Sequence, residues 1–200
     1  MKEIRLVSLW NPKGGQGKSM LAINLATAAV MELGLKPLLI CQDQQGTSML
    51  YFKAGNLPFE VIDTIPITRP DADIIFFDHQ ASEWSVPNNH ILVIPLKPAR
   101  DQYATYIDAY KRAEISGKRI ITIVTDGQEH RASEKETIEY LRGKGAFVIP
   151  SSGVFSRAAS QYLTIFDSRM NKAYKVQERR IEITKILEAI LIESNKEVKE

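Results

Sequence analysis

The densest chemistry in the chain lies in Lys13-Gly14-Gly15-Gln16-Gly17-Lys18-Ser19. These residues stand between an apolar run, Ile4-Arg5-Leu6-Val7-Ser8-Leu9-Trp10, and a helical pattern over 19–33. Glycines let backbone N–H groups close around the oxygens of an anion. A helix opening near Lys18 turns the positive end of its dipole to the same point. That suits phosphate groups: Lys18 would reach a β- and a γ-phosphate, and the Ser19 hydroxyl would ligate Mg²⁺. The strict pattern, G-x-x-x-x-G-K-[ST], wants a glycine at position 12, where the chain has Pro12. The alternative is a glycine-rich turn with no ligand. Three glycines, a lysine and a hydroxyl in this order, after a buried strand, speak against it.

The elements that must position this loop read as alternating strands and helices. Apolar runs at 4–10, 36–41, 73–78, 90–95, 119–124 and 146–149 are nearly continuous rather than alternating. That pattern belongs to parallel strands buried on both faces. Helical patterns fit at 19–33, with Gly34 as C-cap, and at 101–115 and 133–142. The expected fold is α/β: a doubly wound, mostly parallel sheet flanked by helices. A last long helix is expected over 173–193, with Ile181, Ile183, Ile186, Leu187, Ile190 and Leu191 on its apolar face and a frayed, charged tail at 194–200. No repeat, low-complexity tract or linker divides residues 1–200, so one domain is expected.

The composition excludes several classes. The chain has 200 residues, 44% hydrophobic and 25% charged, the mix of a globular protein rather than a disordered one. A net charge of +2 gives no bulk affinity for nucleic acid, so any basic surface must come from clustering. With Cys41 as the single cysteine there is no intramolecular disulfide and no four-thiolate centre. No secretory signal is visible, and the stretch 20–33 is too short and too polar to span a bilayer. A cytoplasmic location follows as the expectation.

Asn11-Pro12-Lys13-Gly14-Gly15-Gln16-Gly17-Lys18-Ser19 resembles the K-G-G-x-G-K-[ST] loop of the ParA/MinD family of deviant Walker-A ATPases. Ala22-Ile23-Asn24-Leu25-Ala26 resembles the helix after that loop, and Asp43-Gln44-Gln45-Gly46 the family's D-P-Q-G segment. Residues 74–78 resemble its Walker-B strand, Val93-Ile94-Pro95 the next strand, and Ser156-Arg157-Ala158-Ala159 a late segment before the C-terminal helices. The resemblance implies a P-loop ATPase that takes ATP or ADP with Mg²⁺. It implies nucleotide contacts from Lys13, Gly14, Gly15, Gln16, Gly17, Lys18, Ser19 and Met20. Lys13 would be the signature lysine that crosses to the partner's phosphates in an ATP-bound homodimer, a cation supplied in trans like an arginine finger. Asp43 would orient the attacking water, and Asp78 would hold Mg²⁺ through a water. Lys13, Lys18 and Asp43 are thus the catalytic candidates, and Ser19 and Asp78 the metal candidates. Asp43 as a helix cap, Asp78 as a turn residue and Lys13 as a solvated lysine are the plainer alternatives.

The chain departs from the family pattern where Cys41 replaces the first acid of D-x-D-P-Q-G, where Gln44 replaces its proline, and where His79-Gln80-Ala81-Ser82 follows Asp78. Cys41 reads as a small buried hydrophobe rather than a redox or metal residue. His79 is a poor general-base candidate, because positioning and electrostatics dominate phosphoryl transfer. Adenine contacts are expected from segments near Pro95 and Pro150.

The short ParA type is the nearest match, since the stretch before the first strand is too small for a helix-turn-helix. It implies non-specific DNA binding by the dimer, a ParB-like centromere-binding partner, partition of plasmid or chromosomal DNA, and nucleoid association. Arg157, Lys172, Lys175, Arg179, Arg180 and Lys185 are the cations available for phosphates, although Glu178, Glu182 and Glu188 make a solvated helix face the competing reading. A MinD-like or cargo-positioning ATPase is the first rival. Glu193, Glu197 and Glu200 after the last helix are unsuited to an anionic bilayer, so stable membrane association is not expected. A nucleotide-gated switch that hydrolyses poorly is the second, and a small-molecule kinase or amidoligase on the same scaffold the third.

Overall fold

The computed structural model describes residues 3–192. The tail expected to fray at 194–200, and Glu193 before it, lie outside them. Among the described residues seven strands form one parallel sheet in the order β3-β2-β4-β1-β5-β6-β7. In chain order they are β1 (Arg5–Leu9), β2 (Pro37–Cys41), β3 (Glu60–Ile62), β4 (Ile74–Asp78), β5 (Ile91–Leu96), β6 (Arg119–Gly127) and β7 (Phe147–Pro150). The helices are α1 (Lys18–Leu33), α2 (Thr47–Lys53), α3 (Arg100–Ile115), α4 (Ala132–Gly143), α5 (Gly153–Ala159) and α6 (Val176–Leu191).

The sheet is buried on both faces, which is why its strands read as continuous apolar runs. On one face Val7, Leu9, Leu39, Phe76 and Val93 pack against α1 and α6 through Leu21, Leu25, Ile183, Ile186 and Leu187. On the other, Trp10, Leu92, Ile94 and Leu96 meet Tyr106, Ala109 and Ala113 of α3 and Ile138 and Leu141 of α4. A small third cluster, Leu38, Ile40 and Ile75, is closed by Ile4, Ile62, Ala72 and Phe77. β1 lies between β4 and β5, so its C-terminal end marks the point where the strand order reverses and ligands of such sheets sit.

α1 ends as expected, with Gly34 at φ 62 and its N–H bonded to Val30 O. The last helix begins later than the pattern predicts, at Val176 rather than 173, and ends at Leu191 rather than 193. A 3₁₀ turn at Ser168–Met170 and Lys175 at φ 59 break the run before it. Ile181, expected on the apolar face, is 54% exposed, and Val176 is buried in its stead. α2, β3 and α5 were not legible in the periodicity, having seven, three and seven residues. Among the described residues no helix is long and apolar enough to cross a membrane.

Candidate functional site

The loop from Asn11 to Gly17 leaves β1 at the reversal point and runs into α1. Gly15 has φ 72 and Gly17, the N-cap of α1, φ 90. Only glycine takes these values at little cost. No side chain caps α1. From Gly14 to Met20 no backbone N–H donates to an acceptor among the described residues, and the first helical bond is Leu21 N to Gly17 O at 2.9 Å. These amides and the helix dipole make a ready anion cradle.

The loop is pinned from outside by side chains. Asn11 Nδ2 donates to Pro95 O at 2.8 Å, and the Lys13 N–H donates to Asn11 Oδ1 at 2.8 Å. Gln16 is buried; its Nε2 donates to Gly14 O at 3.0 Å and to Gln102 Oε1 at 2.6 Å, and its Oε1 accepts from Lys97 N at 2.9 Å. Thr125 Oγ1 donates to Gln16 O at 3.0 Å. The Gln16 side chain therefore braces the loop, leaving its backbone N–H as its offer to a ligand.

Lys18 is buried and folds back across the loop, its Nζ donating to Asn11 O at 3.1 Å and Lys13 O at 3.4 Å. Burial pushes its ammonium below the usual lysine range, while Asp78 and then Asp43 pull it back up. Lys13 is half-buried at the loop's rim and pairs with Asp101 on the first turn of α3 at 3.2 Å.

Asp78 closes β4, fully buried. Its Oδ2 accepts from Ser48 Oγ at 2.7 Å, whereas Oδ1 has no hydrogen-bond partner. Burial raises this carboxyl; the hydroxyls of Ser48 and Ser19 and the Lys18 charge lower it, and Asp43 raises it. Ser19 does so as a neighbour, without completing a hydrogen bond to Oδ1. Asp43 sits in the turn after β2, its Oδ1 accepting from Gln45 N at 3.0 Å and its carbonyl from Gly46 N at 2.8 Å. Lys18, Ser19, Asp43 and Asp78 thus share one site. Ser48, which sequence reasoning missed, belongs to it. So does the α3 pair Asp101 and Gln102.

A buried carboxylate oxygen without a donor, beside a hydroxyl at the mouth of an anion cradle, fits a hydrated Mg²⁺ shared with bound phosphates. Among the described residues no cluster of His, Cys, Asp and Glu forms a metal site by itself.

Next to the cradle, Gly17, Met20, Asp126, Pro150 and Phe155 line a cavity of about 360 Å³. Its size suits a flat base: Met20, Ile149, Pro150 and Phe155 give apolar wall, beside the polar Lys97, Thr125, Asp126 and Ser151. Pro150 lines this cavity, as does Lys97, two residues after Pro95 and in ion pair with Asp126 at 3.3 Å. Pro95 itself is buried, its carbonyl accepting from Asn11. Phe155 was unmarked in the sequence because an isolated aromatic has no motif.

The remaining candidates resolve differently. Cys41 is buried, and desolvation raises its thiol further above its ordinary value. His79 Nε2 lies 2.9 Å from Ser8 Oγ, and burial lowers its pKa to about 4, so the ring is neutral near pH 7. Ser8 is fully buried and accepts from Asn89 as well, so it offers no accessible nucleophile. Arg179 and Arg180 are not free for an external phosphate. Arg179 is 4% exposed, bonded to Pro150 O and paired with Glu182 at 3.1 Å. Arg180 donates to Ile165 O, Asp167 O and Asn171 Oδ1. Arg157, Lys172, Lys175 and Lys185 remain at least partly exposed.

No protein-family model and no curated protein sequence matches the chain. Solved structures do. A Borrelia burgdorferi protein described as a plasmid partition protein, bound to AMPPNP, superposes with TM-score 0.73 at 20% identity, covering 94% of this chain and 99% of that one. The ATP complex of a single-substitution variant of Cyanothece McdA gives 0.70 at 12% identity, over 97% and 99%. The septum site-determining protein MinD of Pyrococcus horikoshii with Mg-ADP gives 0.65 at 14% identity, over 92% and 95%. At these identities it is the architecture that is shared: the chain has the ParA/MinD fold, with its glycine loop at the end of the first strand.

Proposed function

We propose that the chain is a ParA-like ATPase. It dimerises on ATP, binds DNA non-specifically and drives partition of plasmid or chromosomal DNA with a ParB-like partner. The observation that carries this is the row of unpaired amides from Gly14 to Met20, with Lys18 and Asp78 beside it and Lys13 at its rim. The likeness to nucleotide-bound structures of a plasmid partition protein, McdA and MinD supports it.

In this reading the amides of 14–20 hold the phosphates, and Lys18 leaves its two carbonyls for the β- and γ-oxygens. Ser19 and Asp78 would hold Mg²⁺, which would supply positive charge against the phosphates. Asp43 orients the attacking water. Lys13 reaches into the partner subunit's site and stabilises charge on the transferring phosphoryl group. Met20, Pro150 and Phe155 enclose the base. Arg157, Lys172, Lys175 and Lys185 supply phosphate contacts to DNA, the sequence-independent kind that weakens with salt.

The test is to size the protein with ADP, ATP and a slowly hydrolysed analogue, then offer each form a non-specific duplex. ATP-dependent dimerisation and salt-sensitive DNA binding by the dimer are expected. An unchanged mass with ATP, together with DNA binding that ignores nucleotide, would sink the partition reading. Cys41, a neutral buried thiol where an acid is usual, favours a second reading in which the dimer hydrolyses ATP only marginally and acts as a nucleotide-gated switch. Phosphate release measured with and without DNA separates the two.

A further inference from the structure

Ser48 is fully buried as the second residue of α2. Its hydroxyl is not spent on capping that helix, whose N-cap is Gly46. It reaches across to β4 and donates to Asp78 Oδ2 at 2.7 Å. Among the described residues no other side chain completes a hydrogen bond to that carboxylate: Lys18 is bonded to Asn11 O and Lys13 O, and the Ser19 hydroxyl lies beside Oδ1 without a completed bond. The main chain repeats the grip: Gln42 N donates to Asp78 O at 2.9 Å. Residues 42–48 therefore hold Asp78 at its carbonyl and its carboxylate, and Asp43 lies between those two holds.

The arrangement leaves one oxygen tied and the other, Oδ1, buried and bare. A carboxylate serving only to bind Ser48 would gain nothing from a dry, unpaired oxygen, which costs free energy to bury. We propose that Ser48 is a positioning residue: its hydroxyl orients the Asp78 carboxylate so that Oδ1 faces the hydrated Mg²⁺, and it locks the Asp43 turn to the metal's side of the site. The assignment rests on the nucleotide reading above, and it concerns a hydroxyl that no phosphate-loop motif contains. Donors that orient a metal-binding carboxylate from behind typically change metal affinity about 10- to 100-fold when removed.

The experiment is calorimetric binding of ATPγS in EDTA and across a magnesium titration, for wild type, Ser48→Ala, Asp78→Asn and the double variant. Ser48→Ala is expected to raise the magnesium midpoint about tenfold and to leave the affinity in EDTA unchanged. In the Asp78→Asn background the same change is expected to do nothing further, a non-additivity that general loosening of α2 would not produce. Ser48→Cys, close in volume and weaker as a donor, reads the same midpoint should the alanine variant fail to fold. A wild type that binds ATPγS more tightly with magnesium while Ser48→Ala keeps the wild-type midpoint overturns the Ser48 assignment alone. So does an equal shift in the Asp78→Asn background. A wild type that binds no ATPγS under either condition overturns the nucleotide reading itself.

Discussion

Lys13 Nζ lies 3.2 Å from Asp101 Oδ2, across the gap between the glycine loop and the first turn of α3. The contact holds Asp101 below the usual carboxylate range, and Gln102 donates to the same oxygen at 2.7 Å. The pair is exposed, so solvent screens it and its part in stability is small. Its effect lies in where it keeps Lys13: against its own subunit. Asp101→Asn should leave the melting temperature within about 2 °C of wild type and let the ATP-dependent dimer form at lower protein concentration. Lys13→Ala should bind nucleotide normally and fail to close the dimer. Sedimentation of both variants with ATPγS checks this, and a dimer from Lys13→Ala as stable as wild type would remove the role in trans.

Lys18 differs because its ammonium is buried among acceptors rather than set at the rim. Lys18→Ala removes a charge-assisted contact to bound phosphate worth about 3 kcal/mol, roughly a hundredfold in affinity. Titration with a fluorescent ATP analogue reads it; equal affinity in variant and wild type would count against the phosphate-loop assignment.

Gly14 and Gly17 should separate backbone strain from space. A Cβ on Gly17 would meet Met20 and Thr125 at ordinary contact distance, so the cost of Gly17→Ala is its φ of 90. That is about 1–2 kcal/mol of stability, read as a lower denaturation midpoint. Gly14 has no positive φ, and its Cβ would lie 3.6 Å from Ala81. Gly14→Ala should fold as stably as wild type.

Phe155 lines the cavity beside Gly17 and Met20. Phe155→Ala should weaken ATP and ADP about tenfold, the order expected for lost apolar contact with a base, and leave inorganic tripolyphosphate binding unchanged. Competition assays distinguish the two ligands; parallel losses would place the base elsewhere.

Tyr106 gives the fold an alkaline limit. Burial pushes its phenol up to about 12, against a hydrogen bond with Thr122 that lowers it. The folded value lies above the unfolded value of about 10. Its contribution is therefore complete below pH ~10 and is lost as pH rises towards ~12, up to about 3 kcal/mol in all. Urea midpoints should fall more steeply in that window for wild type than for Tyr106→Phe. Identical slopes would show that Tyr106 ionises as freely when folded.

The glycine loop was legible because its chemistry is local: Lys13 to Ser19 are consecutive, and the φ values of Gly15 and Gly17 follow from residue type. The buried strands were legible for a similar reason, since burial on both faces writes itself into a continuous apolar run. α2 and β3 were too short to show a period, although Ser48 on α2 proved to be the donor that Asp78 uses. Arg179 and Arg180 looked like an exposed basic stretch because interleaved glutamates mimic a solvated face. Only packing against Pro150, Ile165 and Asp167 turned them inward.

Sequence alone thus determined the order of six of the described strands and of the four longest helices, and the cradle at the end of β1. Both depend on the preferences of neighbouring residues. Tertiary structure decided what surrounds that cradle: Asp101 on Lys13, Gln102 and Lys97 on Gln16, Ser48 on Asp78, Phe155 beside Met20. Those partners come from segments that follow the C-terminal ends of different strands, brought together by the parallel sheet. A pairing made across the fold leaves no mark on the spacing of either residue.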